Sequence, residues 1–167
     1  LMKICIDVSQ IVYGTGVSEY TYELVSHLLK VDEANDYVLF GGSLRQYSSL
    51  KTLASNYRAT ERGSYQTKIF PLPPTLLSVL WNRLHVLPIE IFVGKTGIYH
   101  SSDWAQAPSK AKKVTTVHDL SPFLFPEEMA SGGLRDIVKT HQARMKWVIR
   151  ECDKIICVSE STKRDLV

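Results

Sequence analysis

Short apolar runs rich in β-branched residues alternate along the chain with longer stretches in which apolar positions recur every three or four residues. Met2 to Val8 is such a run and reads as a strand buried on both faces. Polar and glycine-containing residues follow from Ser9 to Gly16. Val17, Tyr20, Thr21, Leu24, Val25, Leu28 and Leu29 then fall at helical spacing, which predicts an amphipathic helix over Val17 to Lys30. Asp36 to Phe40 reads as a second strand ended by Gly41-Gly42. A weaker helix covers Leu44 to Ser55, and Gln66 to Phe70 reads as a third strand before the breaker Pro71-Leu72-Pro73-Pro74.

Thr75 to Val86 is expected to be helical and to stop near Pro88. Gly97 to Ser101 and Lys113 to Val117 read as strands. Leu134, Ile137, Val138, His141, Met145, Val148, Ile149 and Cys152 form one helical stripe, and the strand Lys154 to Val158 follows it. Strands alternating with helices predict an α/β fold: a Rossmann-like parallel sheet with helices on both faces. Ligands of such sheets lie beyond the carboxyl ends of the strands. The positions to inspect are therefore those after Val8, Tyr99, Val117 and Val158. Ser159, Ser161 and Thr162 are helix-start residues, and the chain ends about two turns further on. The expectation is one domain over residues 1–167, a fragment of a longer protein.

Composition narrows the class without naming a chemistry. Of 167 residues, 44% are hydrophobic and 22% charged, as in an ordinary globular domain. A formal charge of +3 gives no ground for a nucleic-acid partner. The densest basic group, Lys110, Lys112 and Lys113, reads as a solvated loop before a strand. Cys5, Cys152 and Cys157 have neither zinc nor redox spacing and read as buried thiols in a reducing compartment. No signal segment is evident, and the most apolar stretch, Leu72 to Val93, is interrupted by Asn82, Arg83, His85 and Glu90. The expected location is cytoplasmic. Within that stretch Leu76, Leu77, Leu80, Trp81 and Leu84 form a stripe that reads first as core packing. Contact of this stripe with the inner face of a membrane is the alternative.

Several strand ends carry candidate chemistry. In Gly14-Thr15-Gly16-Val17 two glycines let the backbone approach a ligand, and a helix N-terminus offers N–H groups to an anion. The dinucleotide fingerprint is incomplete, because Glu19 occupies the third glycine position and no acid ends the second strand. His118-Asp119 follows a strand, where an imidazole can point into the crevice. His100-Ser101-Ser102 and Val158-Ser159-Glu160-Ser161 occupy equivalent places, with a polar loop and helix capping as their plainer readings. There is no nucleophile elbow and no histidine pair at metal spacing, so no metal is expected.

The order of these motifs resembles the N-terminal half of group 1 (family four) retaining glycosyltransferases of the GT-B fold, in particular mannosyltransferase-like members. Gly14-Thr15-Gly16-Val17, Tyr20-Thr21 and Leu24 follow the family's G-x-G-[IV]-x-x-Y-T-x-x-L pattern. Trp81-Asn82-Arg83 with Leu87-Pro88 is similar to W-E-Q followed by L-P, although Asn82 and Arg83 stand where the family has an acid and an amide. His100-Ser101, Thr116-Val117-His118-Asp119-Leu120 with Pro122 and Pro126, and Ile155 to Leu166 complete the run. The resemblance implies an acceptor-binding domain forming one wall of a cleft, and a nucleotide-diphosphate sugar as donor substrate rather than a cofactor.

It further implies roles for residues. Gly14, Thr15, Gly16 and Val17 would lie beside the donor diphosphate. His118 would be the catalytic residue at the donor sugar, and Asp119, Ser101, Ser102, Ser159 and Glu160 would line the acceptor site or cleft. The family's retaining transfer is explained by front-face attack, with the leaving phosphate helping to deprotonate the acceptor hydroxyl. The partners implied are the nucleotide sugar, a glycan or lipid-linked acceptor, and a C-terminal donor-binding domain without which the fragment is expected to be inactive. Two other classes remain open on the residues alone. One is a stand-alone Rossmann-like binding or interaction module; the other is a nucleotide-binding oxidoreductase, against which the missing third glycine and acid count.

Overall fold

The computed structural model describes residues 1–58 and 64–167. Six strands, β1 (Lys3–Asp7), β2 (Asp36–Gly42), β3 (Ser64–Phe70), β4 (Ile98–Ser101), β5 (Lys112–Val117) and β6 (Lys154–Cys157), form one sheet in the order β3-β2-β1-β4-β5-β6. Every neighbouring pair is parallel. The chain winds outward from β1 to β3, returns to lay β4 against the other side of β1, and winds outward again. The order therefore reverses between β1 and β4, and a crevice opens beyond their carboxyl ends.

Period-two alternation sends successive strand residues to opposite faces. Ile6, Tyr37 and Leu39 pack with Val25 and Leu29 of α1 (Gly16–Val31) and with Leu50 and Ala54 of α2 (Tyr47–Ser55). Cys5, Val38, Phe40 and Tyr99 face the other way, onto Leu77 of α3 (Pro74–Ser78), Trp81, and Val93 of α4 (Glu90–Val93). Two short helices, α5 (Ser121–Leu124) and α6 (Pro126–Met129), lead to α7 (Arg135–Glu151), whose Met145 and Val148 cover Val117. The last helix, α8 (Glu160–Leu166), follows β6. The expected α/β fold with helices on both faces is the one observed.

The departures have local causes. Gly41 and Gly42 are the last two residues of β2, which runs two residues past the expected end at Phe40. Neighbours press on this strand end so closely that a Cβ on Gly42 would meet Leu77 Cδ1 at 2.5 Å and one on Gly41 would meet Leu50 Cδ2 at 2.9 Å. The helix expected over Thr75 to Val86 is α-helical only through Ser78, then widens into a π-type turn at Val79–Arg83. Its exit is held by left-handed backbone at His85 (φ 53°) and Leu87 (φ 61°). Consequently the aliphatic stripe divides. Leu77 and Trp81 are buried, while Leu76 and Leu84 are exposed. Ser9–Val12, read as a loop, forms a 3-10 turn, and β5 starts one residue earlier than expected, at Lys112. Only Cys5 is a fully buried thiol; Cys152 and Cys157 are half-buried near the sheet edge, and all three are free.

Candidate functional site

The loops that leave β1, β4 and β5 meet over the crevice, and buried polar side chains tie them together. Asp7, the last residue of β1, is buried. Its Oδ1 accepts hydrogen bonds from the Ser9 N–H (2.9 Å) and Ser9 Oγ–H (2.5 Å). Ser9 Oγ in turn accepts the Gly42 N–H at 2.9 Å, joining the ends of β1 and β2. Burial raises the Asp7 carboxyl to about 6, against the lowering effects of Ser9, Ser102 and the Arg144 guanidinium. Gln10, also buried, donates to Thr21 Oγ1 of α1 (2.6 Å) and accepts the Asp103 N–H (2.9 Å). Thus one amide side chain spans from α1 to the loop after β4.

Two cavities use these walls. One, of about 320 Å³, has Asp7, Ser9 and Ser102 among its lining residues, with Tyr13, Leu77 and Trp104 completing its apolar sides. A narrower space beside it brings together Asp7, His100, Ser101, Asp103 and His118 against Tyr20.

His118 follows β5 and is half-buried, its ring edge-on to Tyr20 with centroids 4.8 Å apart. Burial lowers its pKa, the Arg144 charge lowers it further, and Asp119 opposes them. The imidazole is therefore neutral near pH 7 and able to donate or accept one hydrogen bond without carrying a charge. Its carbonyl accepts from Thr162 Oγ1 of α8 at 3.3 Å. Asp119 is exposed, and its Oδ1 accepts the Ser121 N–H at 2.8 Å, which starts α5. Ser101 is buried, with Oγ 2.6 Å from Gln106 Oε1 and 2.8 Å from Thr115 Oγ1. Ser102 is also buried; it accepts the Ala105 N–H at 3.3 Å and lines the larger cavity.

The glycine loop is built as a helix start. Gly14 takes left-handed backbone (φ 64°), and Thr15 caps α1 reciprocally with Ser18. Thr15 Oγ1 accepts the Ser18 N–H at 3.3 Å, and Ser18 Oγ accepts the Thr15 N–H at 3.2 Å. As first residues of the helix, Gly16 and Val17 have N–H groups without an intrahelical acceptor. A Cβ on Gly14 or Gly16 would meet nothing within 4 Å, so open space, not packing, lies above the loop. Gly14, Thr15 and Gly16 line a shallow depression shared with Glu19, separate from the spaces lined by His118 and Ser102. Ser159 and Glu160 lie at the start of α8. Ser159 Oγ accepts the Thr162 N–H at 3.0 Å, and both residues are exposed.

Sequence reasoning missed the central cation. Arg144 of α7 is 1% exposed; its Nη2 donates to Thr115 Oγ1 (2.5 Å) and to the Thr116 carbonyl (3.4 Å). Its Nη1 stands 3.6 Å from Asp103 Oδ1, and its Nε has no partner. The signal was present, because position 144 falls on the buried side of α7 with His141, Met145 and Val148. An arginine in an apolar stripe needs an internal partner. Asn82, which reads in the sequence as a break in an apolar stretch and a departure from a pattern, pins the loop after β4. Its Oδ1 accepts the Gln106 N–H (2.9 Å) and its Nδ2 donates to the Trp104 carbonyl (2.8 Å).

Among the described residues no three His, Cys, Asp or Glu side chains converge in a metal-ligating group, and no helix is long and apolar enough to cross a membrane. Residues 14–167 match the family model described as Glycosyltransferase Family 4. Comparison with curated proteins and with solved structures returns no match.

Proposed function

Because the chain belongs to glycosyltransferase family 4, we propose that it is the acceptor-side domain of a retaining enzyme, which moves a hexose, mannose by the resemblance of its motifs, from a nucleotide-diphosphate donor to a glycan or lipid-linked acceptor. The observation that carries this reading is the convergence of Asp7, Ser102 and neutral His118 on the crevice where the strand order reverses. A neutral imidazole at a strand end suits hydrogen bonding to sugar hydroxyls, and it avoids adding a second cation beside Arg144. In this reading the open space above Gly14 to Val17 admits the donor diphosphate, whose remaining charge is met by cations of a second domain. The chain alone then gives no turnover.

The test is transfer by the full-length gene product across a panel of nucleotide sugars, wild type against His118→Ala. A fall in kcat/KM of ~10²-fold or more is expected for a group that positions or stabilises the transferring sugar. Unchanged transfer would leave His118 with only its contacts to Tyr20 and α8. Contact with an anionic membrane from the cytoplasmic side belongs to the same proposal, supported by the exposure of Leu76, Arg83, Leu84 and Ile91. Absence of co-sedimentation with anionic liposomes would remove that part.

A further inference from the structure

The cavity of about 320 Å³ is walled by Tyr13, Gly42, Pro74, Leu77, Trp104 and Ala105, with Asp7, Ser9 and Ser102 as its polar members. Those polar groups are occupied with one another. Asp7 Oδ1 accepts both hydrogen bonds from Ser9, and Ser9 Oγ accepts the Gly42 N–H. Ser102 is hydrogen-bonded to the Asp7 carboxyl, and its Oγ accepts the Ala105 N–H. We propose that this cavity holds a segment of hydrocarbon chain, the apolar part of a lipid-linked acceptor. It rests on the transferase reading only in assigning the chain to the acceptor, where it selects a lipid-linked molecule over a soluble glycan.

Solvation selects this occupant. A sugar hydroxyl brought against the apolar walls would lose its water and find no free partner. A phosphate would face Asp7 and, from the loop after β4, Asp103, two groups of its own sign. A cation would meet a carboxyl already bonded by Ser9, with the Arg144 charge acting on the same group. A methylene chain needs no partner and gains from every apolar contact.

The walls also leave room and keep it. Gly42 and Ala105 are small where a larger side chain would reach into the space. The loop that forms the outer wall is pinned by Asn82, whose Nδ2 donates to the Trp104 carbonyl and whose Oδ1 accepts the Gln106 N–H. Leu77 and Ala105 are 3% and 5% exposed, whereas Tyr13 and Trp104 are 43% and 37% exposed. The aromatic rings therefore stand at the mouth, where amphipathic rings suit a chain passing from an apolar site into water. The volume is at the small end of ligand pockets, roughly 300–1,000 Å³, which is room for a segment of chain rather than a whole lipid.

The experiment is ¹⁵N-observed titration of the chain with n-alkanols from butanol to octanol, following the Trp104 indole N–H and the Ala105 amide. Methyl mannoside and inorganic phosphate are the comparison probes. The alkanols are expected to shift both signals saturably, with affinity rising about fourfold per methylene until the cavity is full. The comparison probes are expected to leave the signals unmoved. Ala105→Leu takes up room otherwise open to the chain and is expected to weaken octanol binding ~10-fold or more. Trp104→Ala, followed at the Ala105 amide, is expected to weaken it less. Thermal unfolding verifies that each variant folds, and the partly exposed Trp104 supplies the test if Ala105→Leu does not fold. The proposal is overturned if octanol binds no tighter than butanol, if methyl mannoside or phosphate saturates the signals instead, or if the folded variants bind octanol as wild type. It is also overturned if octanol binds the chain but not the full-length product, because an apolar segment of the longer protein then fills the cavity. Alkanol binding is read without donor, so its failure is separable from failure of transfer by the full-length product.

Discussion

Replacing Asp7 by asparagine removes a buried ionisable group while keeping its outline, and the consequence is a change in how stability depends on pH. The carboxyl rises from the ordinary 3.8 to about 6 because burial disfavours its charged form. Each tenfold change in proton affinity is worth about 1.4 kcal/mol, so the ionised side chain costs the folded state about 3 kcal/mol in full. The sign follows from the direction. A raised acid contributes stability below the unfolded value of 3.8 that is lost as pH climbs through about 6. Asp7→Asn has no such loss. Urea unfolding at a series of pH values from 4 to 8 should therefore show the variant gaining on the wild type by about 2–3 kcal/mol across pH 4 to 7, then no further. His100, lowered to about 4 by burial, acts oppositely in this window, losing stability as pH falls through it. Its contribution cancels because both proteins retain it. Parallel pH profiles for the two proteins would refute the desolvated environment of Asp7.

Other perturbations separate the remaining elements. Arg144→Met should destabilise by about 3 kcal/mol in chemical unfolding, because the partly buried Asp103 is left without its cation. Adding Asp103→Asn should recover part of that loss, and strict additivity in the double-mutant cycle would show that the pair does not interact. Thr15→Ala should lower stability by about 1 kcal/mol through loss of the α1 cap, measured by thermal unfolding. In an NMR titration of the histidine rings, His118 and His141 should both titrate below the ordinary value of 6.5. Arg144→Met should move both upward, by removing a charge that opposes their protonation.

Periodicity and spacing carried most of the fold and only part of the site. The strands announced themselves because burial on both faces demands near-continuous apolar runs, as in Cys5, Ile6, Val38, Leu39 and Phe40. Helix ends were less legible. The change to a π-type turn at Val79 and the left-handed backbone at His85 depend on partners distant in sequence. His85 Nε2 lies 2.8 Å from Glu151 Oε1, and its ring stacks on Trp147 at 3.6 Å. Nothing near residue 85 encodes those contacts. The same holds for the polar centre. Gly14 and His118 were found because a motif places them, whereas Asp7 looked like the end of a strand and Gln10 like part of a loop. Their roles arise only when Asp103, Thr21 and Arg144 arrive from other elements.

Gly42 and Leu77 meet along the side of the cavity, where a methyl group on the first would stand 2.5 Å from the second. Leu77 Cδ1 is the free end of a flexible side chain, so a methyl group at 42 is accommodated by a shift of that side chain. A larger side chain at 42 would be eased by a smaller one at 77, an exchange that moves volume from the helix wall to the strand end without emptying the core. Relatives with a bulky side chain at 42 are expected to carry a smaller one at 77. The pair is thus a place where the shape of the cavity wall can change while the fold stays constant.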